Sequence, residues 1–115
     1  ERYYVENISD SSVKTNHYVH LPDRNRRFDD DPTFEAWTKN RYDRAKELLA
    51  HAESISDLQA ILRDRENADK KTAICMTKDE KECCTYSAFI FDTVNQKVFY
   101  CQGNPLENDF KEYRF

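Results

Sequence analysis

Apolar positions recur at helical spacing through residues 31–53. At ~100° per residue, Phe34, Trp37, Ala45, Leu48, Leu49 and Ala52 fall on one face of a single helix. Asp31-Pro32 supplies its start, aspartate as N-cap and proline at the first helical position. Ser54-Ile55-Ser56 breaks it, and Ser56-Asp57-Leu58-Gln59 reads as the capping box of a second helix with Leu58, Ile61 and Leu62 as its stripe. Elsewhere the pattern turns strand-like. Residues 3–8 read as a short strand. Residues 13–19 read as a second extended piece, with Val13, Thr15, His17 and Val19 on one face. Residues 72–76 form an apolar run that reads as a buried strand. Residues 85–92 and 97–102 are the clearest strands, joined by Thr93-Val94-Asn95-Gln96 as a hairpin loop. Gly103-Asn104-Pro105 ends the second of these, and residues 106–115 carry Leu106, Phe110, Tyr113 and Phe115 into a last extended segment on the sheet. The order of strands, two helices, then strands predicts an α+β fold, two helices packed on a mainly antiparallel sheet. No internal repeat divides the chain, so residues 1–115 read as a single domain.

Arg41 breaks the pattern of the first helix. It falls at the centre of the apolar face, seven residues after Phe34 and four before Ala45. Desolvating a guanidinium is costly unless it is paired. Two readings follow: the side chain bends out to water with only its stem packed, or it points inward to serve a site.

Composition narrows the classes. At 115 residues and 13.7 kDa the chain can build one core. With 13% aromatic residues it is not a disordered segment, although 35% of its residues are charged. The net charge of −4 is spread with mixed signs, which argues against nucleic acid as a partner. No apolar run approaches the ~20 residues of a membrane span. Glu1 opens no signal-peptide pattern, and a start within an apolar stretch reads as a piece of a longer protein. Cys75, Cys83, Cys84 and Cys101 are expected as free thiols. Their spacing is no disulfide framework, there is no C-x-x-C, and adjacent Cys83 and Cys84 do not suit one zinc site. No metal or cofactor is expected, and cysteine use points to the cytoplasm.

Other chemistry-bearing residues have plain structural readings. His17 and His20 would point to opposite faces of a strand. Arg24, Arg26 and Arg27 sit among Asp23, Asp29, Asp30 and Asp31, so a self-neutralised loop is the simpler reading than an anion or CoA-phosphate site. Cys75 reads as a small core residue, and Trp37 with Phe34 as core rather than a substrate platform.

Several phrases, taken in order, resemble one family. Thr15-Asn16-His17-Tyr18 resembles the Thr-Asn-His motif of isopenicillin N acyltransferase-like enzymes (the acyl-CoA:6-aminopenicillanic acid acyltransferase family). Thr38-Lys39-Asn40-Arg41-Tyr42-Asp43-Arg44 resembles that family's Ser-x-x-Arg-Tyr-x-Arg helix start. Leu62-Arg63-Asp64-Arg65, Ala73-Ile74-Cys75 and Gly103-Asn104-Pro105 resemble further phrases of it. The resemblance runs from about Tyr3 to Phe115, and acid-ceramidase-like amidases are similar through a Thr-Asn motif and an Asn-Arg pair. It implies an N-terminal-nucleophile hydrolase of αββα fold, in which self-cleavage exposes a cysteine that attacks an amide or thioester and forms an acyl-enzyme. Carried over, Asn16 is the oxyanion-hole donor, Arg41 orders the nucleophile site by its charge, and Thr38 supports them.

The chain departs from the family at Thr38, where Ser is common, and at Arg65 and Thr77, where His is common. It also has no N-terminal cysteine. The resemblance therefore implies the C-terminal part of a catalytic unit whose nucleophile-bearing half is absent, inactive alone. That half would be its partner, and an acyl amide or acyl-CoA its small-molecule substrate. The alternative is a non-catalytic α+β binding or oligomerisation module. In one version of that alternative, the sheet edge left exposed by the missing half pairs with another copy to give a homodimer.

Overall fold

A computed structural model describes residues 11–16, 19, 31–78 and 84–115. The first strand expected, at residues 3–8, lies outside them, as do His17, His20, Cys83 and the arginines of the 21–30 loop.

Helix α1 spans Pro32–Leu49. Its start is local chemistry: the Asp31 carboxylate accepts from the Phe34 N–H at 2.9 Å, and Pro32 stands where no donor is needed. It stops four residues short of the expected end, because the N–H groups of His51 and Ala52 close in tight turns onto the carbonyls of Leu48 and Leu49. Helix α2 spans Ile55–Leu62. Its cap is Ser54, two residues before the expected one. The Ser54 hydroxyl accepts from the Asp57 N–H, and the Asp57 carboxylate accepts from the Glu53 N–H at 3.0 Å, a capping box with aspartate in the usual glutamate position.

Strands β1 (Ser87–Asp92), β2 (Lys97–Gln102) and β3 (Lys111–Arg114) form one antiparallel sheet in the order β1-β2-β3. Asp92 pins the 93–96 hairpin loop by accepting from both the backbone N–H and the side-chain amide of Asn95. Gly103 turns the chain out of β2 at φ +92°, a conformation that a side chain resists. Helices and sheet thus make a small α+β unit, with α2 against both α1 and β1.

The core lies between α2 and the sheet. Ala73, Cys75, Met76, Ala88, Ile90 and Cys101 are buried there. Residues 72–76 are buried as expected but do not form a strand. Their backbone groups pair with scattered partners instead: Thr72 N–H with the Asn67 carbonyl, Cys75 N–H with the Asp64 carbonyl, and Met76 N–H with the Thr85 hydroxyl. Residues 11–16 carry no strand either. They are held by side-chain bonds to α1. Among the described residues no helix is long and apolar enough to cross a membrane.

Candidate functional site

The three residues singled out by resemblance come together on the first half of α1. Thr38, the helix's fully buried residue, is a hydroxyl side chain on a face otherwise lined by half-covered apolar groups. Its burial is accounted for by hydrogen bonds. The Asn16 N–H donates to the Thr38 hydroxyl oxygen at 2.8 Å, and that hydroxyl donates to Thr15 Oγ1 at 3.0 Å. The Thr15 hydroxyl in turn donates to the Thr38 backbone carbonyl at 3.0 Å. Two threonines therefore clasp the 15–16 backbone onto the helix, and both hydroxyls of the clasp are used.

One turn along the helix, Arg41 Nη1 donates to the Asn16 side-chain oxygen at 3.3 Å. A guanidinium has only donors, so the amide oxygen must face it, and the Asn16 NH2 is directed away from Arg41. The Arg41 guanidinium carbon lies 4.3 Å from the centroid of the Trp37 ring, stacked on its face. Trp37 is fixed from behind: its indole N–H donates to Met76 Sδ, and Phe34 packs against it with centroids 5.2 Å apart. Arg41 does not bend out to water. Burial alone pushes its guanidinium below the usual range, and its Nε is buried with no hydrogen-bond partner among the described residues. Arg44, Arg63 and Arg114 each lie beside a carboxylate, and Arg65 donates to the Cys75 carbonyl at 2.7 Å. Among the described residues Arg41 forms no ion pair, and its guanidinium meets the Asn16 amide oxygen instead.

The phrases read from the sequence also grip one another. Arg44 holds Asp64 through Nε and Nη2, at 2.8 Å for the shortest contact, which raises the Arg44 guanidinium further. Asp64 accepts the Cys75 N–H on its backbone carbonyl. The Cys75 thiol donates to Asn104 Oδ1, and the Asn104 side-chain amide donates to the Met76 carbonyl at 2.8 Å. Arg63 closes the circuit by donating to the Pro105 carbonyl at 2.7 Å. Asp64 and Asn104 carry these links and were not evident from the sequence. The available signal was an acid flanked by arginines in Arg63-Asp64-Arg65, opposite the Arg-rich turn of α1.

Two of the described cysteines are poorly placed to act as nucleophiles. Cys75, Cys84 and Cys101 are free thiols. Cys75 and Cys101 are fully buried, and burial pushes both thiols up, away from the thiolate a nucleophile needs. The arrangement places the Asn16 amide beside the Arg41 guanidinium. That pair can stabilise an oxyanion or a thiolate but cannot itself attack a carbonyl. Comparison of the chain with protein-family models, with curated proteins and with solved structures returns no match to any of them.

Proposed function

We propose that the chain is the C-terminal portion of a cysteine N-terminal-nucleophile acyltransferase or amidohydrolase. The observation that supports this most is the Asn16–Thr38–Arg41 unit, in which an amide is oriented by a half-buried guanidinium that forms no ion pair among the described residues. In this reading a cysteine thiolate from the absent half attacks an amide or thioester carbonyl. The carbonyl π electrons move to oxygen, and the Asn16 NH2 donates to that oxyanion. The cysteine's own α-amino group, having taken the thiol proton, gives it to the departing amine or thiol as the tetrahedral intermediate collapses to an acyl-enzyme. Water or an amine then takes the acyl group. Arg41 has two tasks: it holds the Asn16 oxygen so that the NH2 faces the reacting carbonyl, and its charge favours the thiolate. Free thiols at Cys75, Cys84 and Cys101 fit a reducing, cytoplasmic setting.

The test joins the chain to the segment encoded upstream of it and follows acyl transfer from amide and thioester substrates. The joined protein should be active and the 115-residue chain inactive. Asn16→Ala should lower kcat by ~10²–10³ with little change in KM, the loss typical of one oxyanion donor. An active protein in which Asn16→Ala and Arg41→Leu leave kcat unchanged would remove the reading and leave the non-catalytic module.

A further inference from the structure

The sheet is more apolar on the face turned away from the helices than on the face turned towards them. Residues paired across an antiparallel ladder share a face. The pairs Phe89↔Tyr100, Phe91↔Val98 and Val98↔Tyr113 therefore build one continuous aromatic surface, extended by Phe115, whose N–H donates to the Gln96 carbonyl. Its rings are ordered: Phe89 stacks on Tyr100 at 4.6 Å and on Phe91 at 6.2 Å. Yet Phe89, Phe91, Tyr113 and Phe115 remain 53%, 65%, 49% and 65% exposed. The charged strand residues sit on the opposite face. Beyond the cover of α2 that face carries Lys97 paired with Glu112 at 3.0 Å, and Arg114 beside Glu112. Lys111 is the charged residue on the aromatic face, at its end opposite Tyr100. This alternation suits a sheet whose helix side is partly wet and whose other side is dry.

We propose that a second copy of the chain covers this face, the two sheets packing aromatic surface to aromatic surface about a two-fold axis. The area supports a copy as occupant. Aromatic side chains carry roughly 150–250 Å² each, so the exposed fractions leave on the order of 500 Å² of ring surface per chain. Two copies bury about 1,000 Å² from the rings alone, the lower bound for a specific interface. The face is self-complementary, since it is apolar with one cation at its margin and no acid, and a two-fold arrangement can set the two Lys111 side chains at opposite ends. It also offers no charged pattern that would select a polar partner. The outer edge along β3 is a poorer candidate, because Lys111, Glu112 and Arg114 blunt it.

Sedimentation velocity of the full 115-residue chain, run from about 1 to 100 μM, brackets the micromolar affinity expected of so small an interface. A reversible monomer–dimer equilibrium is expected. Phe91→Lys should weaken it by ~10-fold or more, while Phe91→Leu should stay within ~3-fold. Isotope-filtered nuclear Overhauser spectra of a mixed labelled and unlabelled wild-type sample should show contacts between the rings of Phe89, Phe91 and Tyr113 of different copies. That readout needs no variant to fold. A monomer at every concentration overturns the proposal, as do open-ended association, a dimer indifferent to Phe91→Lys, or contacts that run along strand-edge backbones.

Discussion

The Arg41 guanidinium hydrogen-bonds the side-chain oxygen of Asn16 across twenty-five positions of sequence. That contact sits three residues along the helix from the Thr38 clasp, so one turn of α1 fixes both the backbone and the side chain of Asn16. The two anchors differ in kind. The Thr38 clasp satisfies buried hydrogen-bonding groups, whereas Arg41 leaves one unsatisfied.

Replacing Arg41 should separate stability from function. Removing a half-buried cation that forms no ion pair among the described residues relieves a desolvation cost. Against this stands the loss of one long hydrogen bond and a stacking contact. Arg41→Leu should therefore leave the unfolding free energy unchanged or raise it by ~1 kcal/mol, while abolishing acyl transfer in the joined enzyme. Urea unfolding of the isolated chain checks the first part. A loss of 2 kcal/mol or more, as for a residue anchoring the core, would assign Arg41 a structural role.

Thr38 should behave in the opposite way. Thr38→Val keeps the shape but strips the partner from the Asn16 N–H and the Thr15 hydroxyl, at a cost of about 1–3 kcal/mol. Thr38→Ser keeps the hydroxyl and loses a buried methyl, at about 1 kcal/mol. In the joined enzyme the serine variant should keep most activity and the valine variant should not. Paired denaturation and kinetic measurements on both variants decide this.

The pH dependence of stability has two limbs of known sign. Burial raises Cys75 and Cys101 above the ordinary thiol value of 9.0, so the folded chain keeps these protons longer than the unfolded chain. Stability is then fully present below that value and is lost as pH rises through the folded ones. Asp57 runs the other way. The Ser54 hydroxyl, and then the Glu53 N–H, hold its carboxyl below the ordinary 3.8. The contribution of this cap is present above that value and lost as pH falls through the folded one. Urea midpoints should fall at both extremes. Cys75→Ala with Cys101→Ala should flatten the alkaline limb, and Asp57→Ala should reduce the acid one, to which Asp92, held below 3.8 by Asn95, also contributes.

Gly103→Ala should destabilise the chain by roughly 1–2 kcal/mol, because a side chain at φ +92° is strained. An added Cβ would also stand 2.7 Å from Asn108 Nδ2. Moving that side-chain amide aside breaks its donation to the Asn104 carbonyl at 3.0 Å, next to the backbone carbonyl that Arg63 and the Cys101 thiol hold. A thermal melt of the variant checks the magnitude. Loss of the Arg63 contact should appear as faster amide exchange through the 104–108 turn.

The parts of the fold that could be read from the sequence are those set by neighbours in the chain. The Asp31 cap, the 93–96 hairpin loop and the turn at Gly103 each depend on residues within a few positions of one another. Residues 72–76 misled because a short apolar run looks the same as a strand or as an irregular buried segment. What decides between them is the distant partners Asp64 and Thr85. The second helix start misled because two serines compete, and only Ser54 has an acid three residues on. At the site, Arg41 announced itself as a charge on an apolar face. Asn16 and Thr38 entered through resemblance alone, since a clasp between hydroxyls twenty-three positions apart leaves no periodic trace.

The Thr15–Thr38 clasp has a consequence for variation. Because Asn16 is tied directly to α1, its distance from Arg41 is not set by the sequence that joins them. Variation elsewhere in the chain can therefore leave the Asn16–Arg41 pair in place as long as the Thr15 and Thr38 hydroxyls are kept.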